Sequence, residues 1–212
     1  MAKVTGPLLS FTASGTVGGV QTYSKWRGID YVRTRVTPAN PNTANQVKTR
    51  SVFTWLMAVY KLMAADLQAP WKAYSTGQKF TDRNAFVKSD LPALRAGVDL
   101  TGFIASPSTG GAPAFTNFAA VGGAGSVTVT ADDPVLPTGW AVSKFIAGAI
   151  VNDDPHTSTN YTSYTGSDAA SPYSVALAVP AGTYMAFAFF EYTKPDGTLA
   201  YSISQAGSAV AT

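Results

Sequence analysis

Cysteine is absent from the 212 residues, histidine occurs once, and charged residues make up only 13%. Without cysteine there is no disulfide framework and no thiolate metal site. The single histidine, His156, lies in the polar run Asn152-Asp153-Asp154-Pro155-His156 and is expected to be solvated there. No run of about 18 apolar residues occurs, so no membrane-spanning helix is expected. No basic-led apolar stretch opens the sequence, so no secretory signal is expected. The serine nucleophile elbow, the His-Glu-x-x-His pattern and the calcium-loop pattern are missing. Gly15, Gly18 and Gly19 lack the Gly-Lys-Ser/Thr ending of a phosphate loop. The paired acids Asp132-Asp133 and Asp153-Asp154 stand beside prolines and read as turn residues. A non-enzymatic protein without cofactor or metal is expected.

What the chain does have is charge polarity. Thirteen of its fifteen Lys and Arg residues precede Asp99, against five acids up to and including Asp99; two bases and seven acids follow. A basic half seeks an anionic or acidic partner, so the polarity points to interaction.

The organisation expected is α+β: an N-terminal β-hairpin and helical module, then an all-β sandwich. Residues 8–11 read as a short apolar strand, and residues 14–19 as a flexible turn. Residues 20–26 and 29–36 form hairpin arms around Arg27-Gly28. Pro38 and Pro41 stop the hairpin. Thr43 and Gln46 make a capping box that opens a helix to about Ala65. Its apolar residues spread over roughly 220° of the wheel, where one-sided packing needs little more than about 100°. Two readings are open: burial within its own domain, or contact with another subunit through Trp55, Val59 and Leu62. Pro70 suits the first turn of a second short helix, and Thr81 caps a third that Pro92 breaks or kinks.

Residues 104–113, rich in Gly, Pro and Ser, read as a linker between a basic module at 1–103 and a sandwich at 114–212. Strands are expected at 114–121, 126–131, 140–151, 173–179, 183–192 and 198–205. Val179-Pro-Ala-Gly-Thr-Tyr184 resembles the tyrosine corner of fibronectin type III and immunoglobulin-like domains. That resemblance implies an Ig-like fold in which the Tyr184 hydroxyl bonds backwards to the corner backbone.

The candidate binding constellation is Lys25, Trp26, Arg27, Tyr31, Arg33, Arg35, Lys48 and Arg50. Tyr31, Arg33 and Arg35 are expected on one strand face. Lys48 and Arg50 fall in the first turns of the capped helix, whose N-terminus adds partial positive charge. Cations interleaved with aromatics can hold phosphates and stack on bases, can rim a protein interface, or can form an ordinary solvated face.

Three stretches carry a further resemblance: Gly15-Thr-Val-Gly18 with Tyr23-Ser-Lys-Trp-Arg-Gly-Ile-Asp-Tyr-Val-Arg33, then Pro38-Ala-Asn-Pro-Asn-Thr43 with Gln46-Val-Lys-Thr-Arg-Ser-Val-Phe53, then Trp71 with Arg83-Asn-Ala-Phe-Val87. In these, residues 1–99 resemble small proteins of undefined role encoded among the virion genes of tailed bacteriophages. The resemblance implies a virion structural protein of the head or head–tail region, a capsid decoration or a neck or tail component. Its partners would be other virion proteins and copies of itself, with contact to packaged DNA. It would be made in the bacterial host cytoplasm and located in the virion. Two alternatives are a non-specific nucleic-acid-binding protein and a carbohydrate- or receptor-binding virion module presenting Tyr161, Tyr164 and Tyr173.

Overall fold

A computed structural model describes residues 2–3, 14–26, 29–37, 39–40 and 42–212. The chain separates into two compact units, Met1–Asn42 and Thr43–Thr212. The boundary therefore falls where the capping box begins and not near residue 104.

The first unit is an antiparallel sheet of β1 (Ala2–Lys3), β2 (Gly15–Val17), β3 (Gln21–Trp26) and β4 (Ile29–Thr34), in the order β1-β4-β3-β2. The expected hairpin forms, with Trp26 opposite Ile29 and Gln21 opposite Thr34. Its Arg27-Gly28 turn lies outside the described residues, as do the strand expected at 8–11 and Pro38 and Pro41. Residues 14–19 do not form one flexible turn. Gly15–Val17 pairs as β2, and the chain reverses at Gly18 and Gly19, both with positive φ. Glycine takes that conformation without steric cost, which suits a tight return between twisted strands.

The second unit opens with three helices: α1 (Ala44–Leu62), α2 (Ala65–Ser75) and α3 (Asp82–Ala96). The Gln46 carboxamide accepts the Thr43 N–H at 3.3 Å, so the capping box is present. The α1 helix ends at Leu62, because Met63 turns extended. Gln68 of α2 donates to the carbonyls of Tyr60 and Met63, meeting acceptors that the end of α1 leaves over. Pro70 sits inside α2 and not in its first turn. Thr81 caps α3 by accepting from the Asn84 N–H, and α3 continues through Pro92 to Ala96.

Two antiparallel sheets follow. One holds β7 (Ala141–Val151), β8 (Ser163–Asp168), β10 (Gly182–Thr193), β11 (Leu199–Tyr201) and β12 (Gln205–Ala211). The other holds β5 (Ala119–Gly123), β6 (Ser126–Ala131) and β9 (Tyr173–Ala178). Strand β10 is central, flanked by β7 on one side and by β11 and β12 along the other. The strand expected at 198–205 is broken into the whole of β11 and the first residue of β12, and β8 is absent from the expected strands. The Tyr184 hydroxyl donates to the Pro180 carbonyl at 2.9 Å, as the tyrosine-corner pattern requires.

The buried faces of β10 explain the layering. Met185, Phe187 and Phe189 share a core with Val52, Leu56 and Val59 of α1, Trp71 of α2 and Phe86 of α3. Tyr184, Ala186, Ala188, Phe190 and Tyr192 point the other way, into a core with Val127, Val129, Val175 and Leu177 of the second sheet. The unit is thus three layers, helices over sheet over sheet, with two cores meeting at one strand. The helices cover the outside of the sandwich, so a basic module at 1–103 and a sandwich at 114–212 are not separate bodies.

Residues 104–113 are correspondingly not a free linker. Ala105 and Ser106 are fully buried. The Trp71 indole donates to the Ala105 carbonyl at 2.8 Å, and the Ser106 hydroxyl donates to the Ser202 carbonyl at 2.9 Å. Thr109 and Tyr201 exchange two further bonds. Small residues let this segment lie flat against neighbours; composition alone reads the same residues as flexible.

Close approach also explains one glycine. A Cβ on Gly122 would stand 1.7 Å from the Val210 carbonyl oxygen, where β5 meets β12. Gly122→Ala is expected to destabilise by several kcal/mol, about 1–3 or more for overpacking against unyielding backbone. A denaturant midpoint unchanged from the parent would contradict that reading.

Candidate functional site

Within each unit the cations singled out in the sequence point to different sides. Arg33 and Tyr31 occupy one face of β4, while Lys25 of β3 lies in register with Asp30 on the opposite face. Arg35 stands just past β4, its N–H bonded to the Val20 carbonyl. Arg27 and the Trp26 side chain lie outside what the structure describes. Lys48 and Arg50 belong to the second unit. Two positions apart on α1, they point roughly 200° apart and so to different sides of the helix.

The first unit has a property that composition did not reveal. None of its residues whose burial the structure describes is buried. Val17, Val20, Ile29 and Val36 are all exposed, with Val36 at 70%. Its sequence carries five bases against one acid. A small sheet needs a covered apolar face for independent stability, and among the described residues this one has none.

The assembly face expected on α1 is corrected by burial. Trp55 and Val59 belong to the protein's own core, at 2% and 0% exposed. The breadth of the apolar stripe arises because α1 packs on α3 and enters a core shared with α2 and with β7 and β10 of the sheet. Leu62 alone of the three is exposed, joined on α1 by Phe53 and Val47.

His156 is the residue whose setting differs most from expectation. Its side chain is 9% exposed, not solvated. Asp154 forms a tight turn in which its carboxylate accepts both the His156 backbone N–H at 2.9 Å and the ring Nδ1–H at 2.6 Å. The carbonyl of Asp154 accepts from Thr157 and Ser158, closing the loop. The Trp55 indole donates to the Asn160 carbonyl at 3.2 Å and ties that loop to α1. Between loop and helix lies a cleft of about 290 Å³ lined by Arg50, Thr54, Trp55, His156 and Tyr161, among others. The His156 Nε2 is buried without a hydrogen-bond partner. No sequence spacing links positions 50–55 to 156–161; only the tertiary fold does.

A second buried polar group sits apart from the cleft. Asp90 of α3 is fully buried, its Oδ1 accepting from the Ile104 N–H at 2.7 Å and its Oδ2 unpartnered. Burial pushes its carboxyl well above the usual range. Among the described residues no group of three or more His, Asp or Glu is placed to hold a metal. No described helix is long and apolar enough to cross a membrane.

No curated protein and no solved structure matches this chain. A family of unknown function, DUF6266, matches residues 12–180. The matched stretch takes in most of the first unit, all three helices and the strands through β9, well past the residues 1–99 that carry the phage-protein resemblance. With most of its length inside that match, the chain belongs to the DUF6266 family.

Proposed function

We propose that the protein is a non-enzymatic structural component of a bacteriophage virion, in the head or head–tail region, acting by multi-copy assembly. The observation that carries this reading is the N-terminal sheet: a basic, four-stranded element with no buried residue among those described. Such an element gains stability only when a neighbouring surface covers it. The layered second unit supplies a self-contained body to be attached. The resemblance of residues 1–99 to phage-encoded proteins supports the virion as the setting, with synthesis in the bacterial cytoplasm. The partner is an acidic or neutral protein surface of capsid, portal, neck or tail.

The face bearing Tyr31 and Arg33, continued by Arg35, is the docking face in this reading. Reversing charge in Arg33→Glu with Arg35→Glu is expected to lower incorporation into purified particles by at least about tenfold, that is about 1.4 kcal/mol or more. Lys25→Glu, on the other face, is expected to change it far less. Equal incorporation of all forms, by quantitative mass spectrometry of particles, would overturn the assignment.

Non-specific nucleic-acid binding is the second reading, favoured by the same cations. It predicts binding to any duplex DNA that weakens steeply with salt. Binding unchanged in the Arg33→Glu, Arg35→Glu form would reject it.

A further inference from the structure

We propose that the chain cuts its own backbone once, at the Asp154–Pro155 bond in the loop between β7 and β8. The step alters the protein itself and turns over no substrate. It is independent of how the N-terminal sheet attaches.

Three groups around that bond converge on the chemistry. The Asp154 carbonyl accepts two backbone N–H groups, from Thr157 at 3.1 Å and from Ser158 at 2.8 Å. Paired N–H donors polarise a carbonyl and stabilise the oxyanion formed when a nucleophile adds to it. The Asp154 carboxylate is the nucleophile. Its Oδ1 accepts the His156 backbone N–H at 2.9 Å and the ring Nδ1–H at 2.6 Å, which leaves Oδ2 without a partner. His156 acts as a positioning residue: a nucleophile already held in the same residue as its target loses little further freedom on attack. The leaving group is a proline nitrogen. The X–Pro bond is a tertiary amide, and its nitrogen departs as a secondary amine, more basic than the amine that other peptide bonds release.

Oδ2 of the ionised carboxylate adds to the Asp154 carbonyl carbon and closes a five-membered ring. The C–N bond to Pro155 then breaks, and the nitrogen takes a proton from solvent. The product is a cyclic anhydride on Asp154, which one water opens to a carboxyl-terminal aspartate. In sum, one peptide bond and one water give a new carboxylate and a prolyl amino terminus. The two pieces stay together, because β10 in the second pairs with β7 in the first, and β8 pairs with β7 on its other side.

A second Asp–Pro bond supplies an internal control. Asp133 precedes Pro134. Its carboxylate accepts from the Ser171 hydroxyl at 2.8 Å, and among the described residues no N–H donates to its carbonyl.

The test is incubation of the purified full chain at neutral and mildly acidic pH, followed over days by intact-mass spectrometry. Fragments ending at Asp154 and beginning at Pro155 are expected to accumulate at least about tenfold faster than those from Asp133–Pro134. In concentrated urea, where the turn is lost, the two bonds should cleave at comparable rates. His156→Ala should slow the cut at Asp154 by at least about tenfold. His156→Asn, whose amide N–H can replace the ring N–H, should restore most of the rate. Three results would overturn the proposal: no cut at Asp154 in the folded chain, equal rates at the two bonds in the folded chain, or the full rate in His156→Ala. Comparing the two bonds needs no variant, so it decides the matter even if a substitution disturbs folding.

Discussion

Phe187→Ala is expected to destabilise residues 43–212 by about 3–5 kcal/mol and to melt helices and sheets together. Phe187 is fully buried at the middle of β10, its ring 5.6 Å from that of Phe103, in the core that joins all three helices to the sheet. On its other side it leaves no room for more than hydrogen at Gly148 of β7. Removing the ring opens a cavity at the junction of layers, and close-packed neighbours relax only partly. For a body of this size the loss corresponds to a fall in melting temperature of roughly 10 °C. Far-ultraviolet helix signal and near-ultraviolet aromatic signal should fall at the same lowered temperature. Leu199→Ala, at a side chain 48% exposed, should stay within about 0.5 kcal/mol of the parent. If helices and sheets melted apart, or if Phe187→Ala spared the helices, the layered description would be wrong.

Asp90→Asn is expected to raise stability at neutral pH. Burial holds the folded-state carboxyl protonated well above the pH at which the unfolded chain loses its proton. The sign follows from proton counts. Between the ordinary carboxylate value and the raised folded value, the folded state carries one more proton than the unfolded state. Stability therefore falls as pH rises through that window, with a slope approaching about 1.4 kcal/mol per pH unit from this group. Below the window the contribution is fully present. Exposed carboxylates with the opposite shift, such as Asp168 and Asp196, whose oxygens accept backbone or hydroxyl donors, oppose it with stability that is lost as pH falls. An amide at position 90 keeps an acceptor for the Ile104 N–H and has no proton to lose. Urea midpoints across pH 4–8 should therefore show a downward slope in the parent that the variant lacks. Parallel profiles would contradict the assignment.

How much of this was legible in the sequence depended on the range of the interaction. Local rules located the capping box at Thr43 and Gln46, the hairpin at 21–34, the Tyr184 corner and most strands, because each is set by neighbours a few residues away. That the second and third helices run through Pro70 and Pro92 escaped those rules. At Pro92 the ring and Lys88, one turn before it, are both exposed, so water can serve the carbonyl that proline leaves unpaired. Strand β8 escaped because Ser163–Asp168 has no apolar alternation; it forms by pairing with β7. The broad apolar face of α1 was visible, but not whether its cover lay within the molecule. Only the three-layer packing places Trp55 and Val59 inside. The site was legible as residue types, not as an arrangement. Lys25, Arg33, Lys48 and Arg50 read as one basic cluster along the chain, yet β pairing puts Lys25 and Arg33 on opposite faces of the hairpin, and helical rotation turns Lys48 and Arg50 to different sides of α1. His156 in a polar loop carries no local sign that α1 will close over it.

We propose that this chain is a repeated part of a phage particle, held there through its N-terminal sheet. Copy counting of the protein in purified particles, by mass spectrometry against labelled standards, tests it most directly. Many copies per particle, in fixed ratio to the major capsid or tail protein, is the result predicted; particles devoid of the chain, with all of it left free in the lysate, would contradict the account.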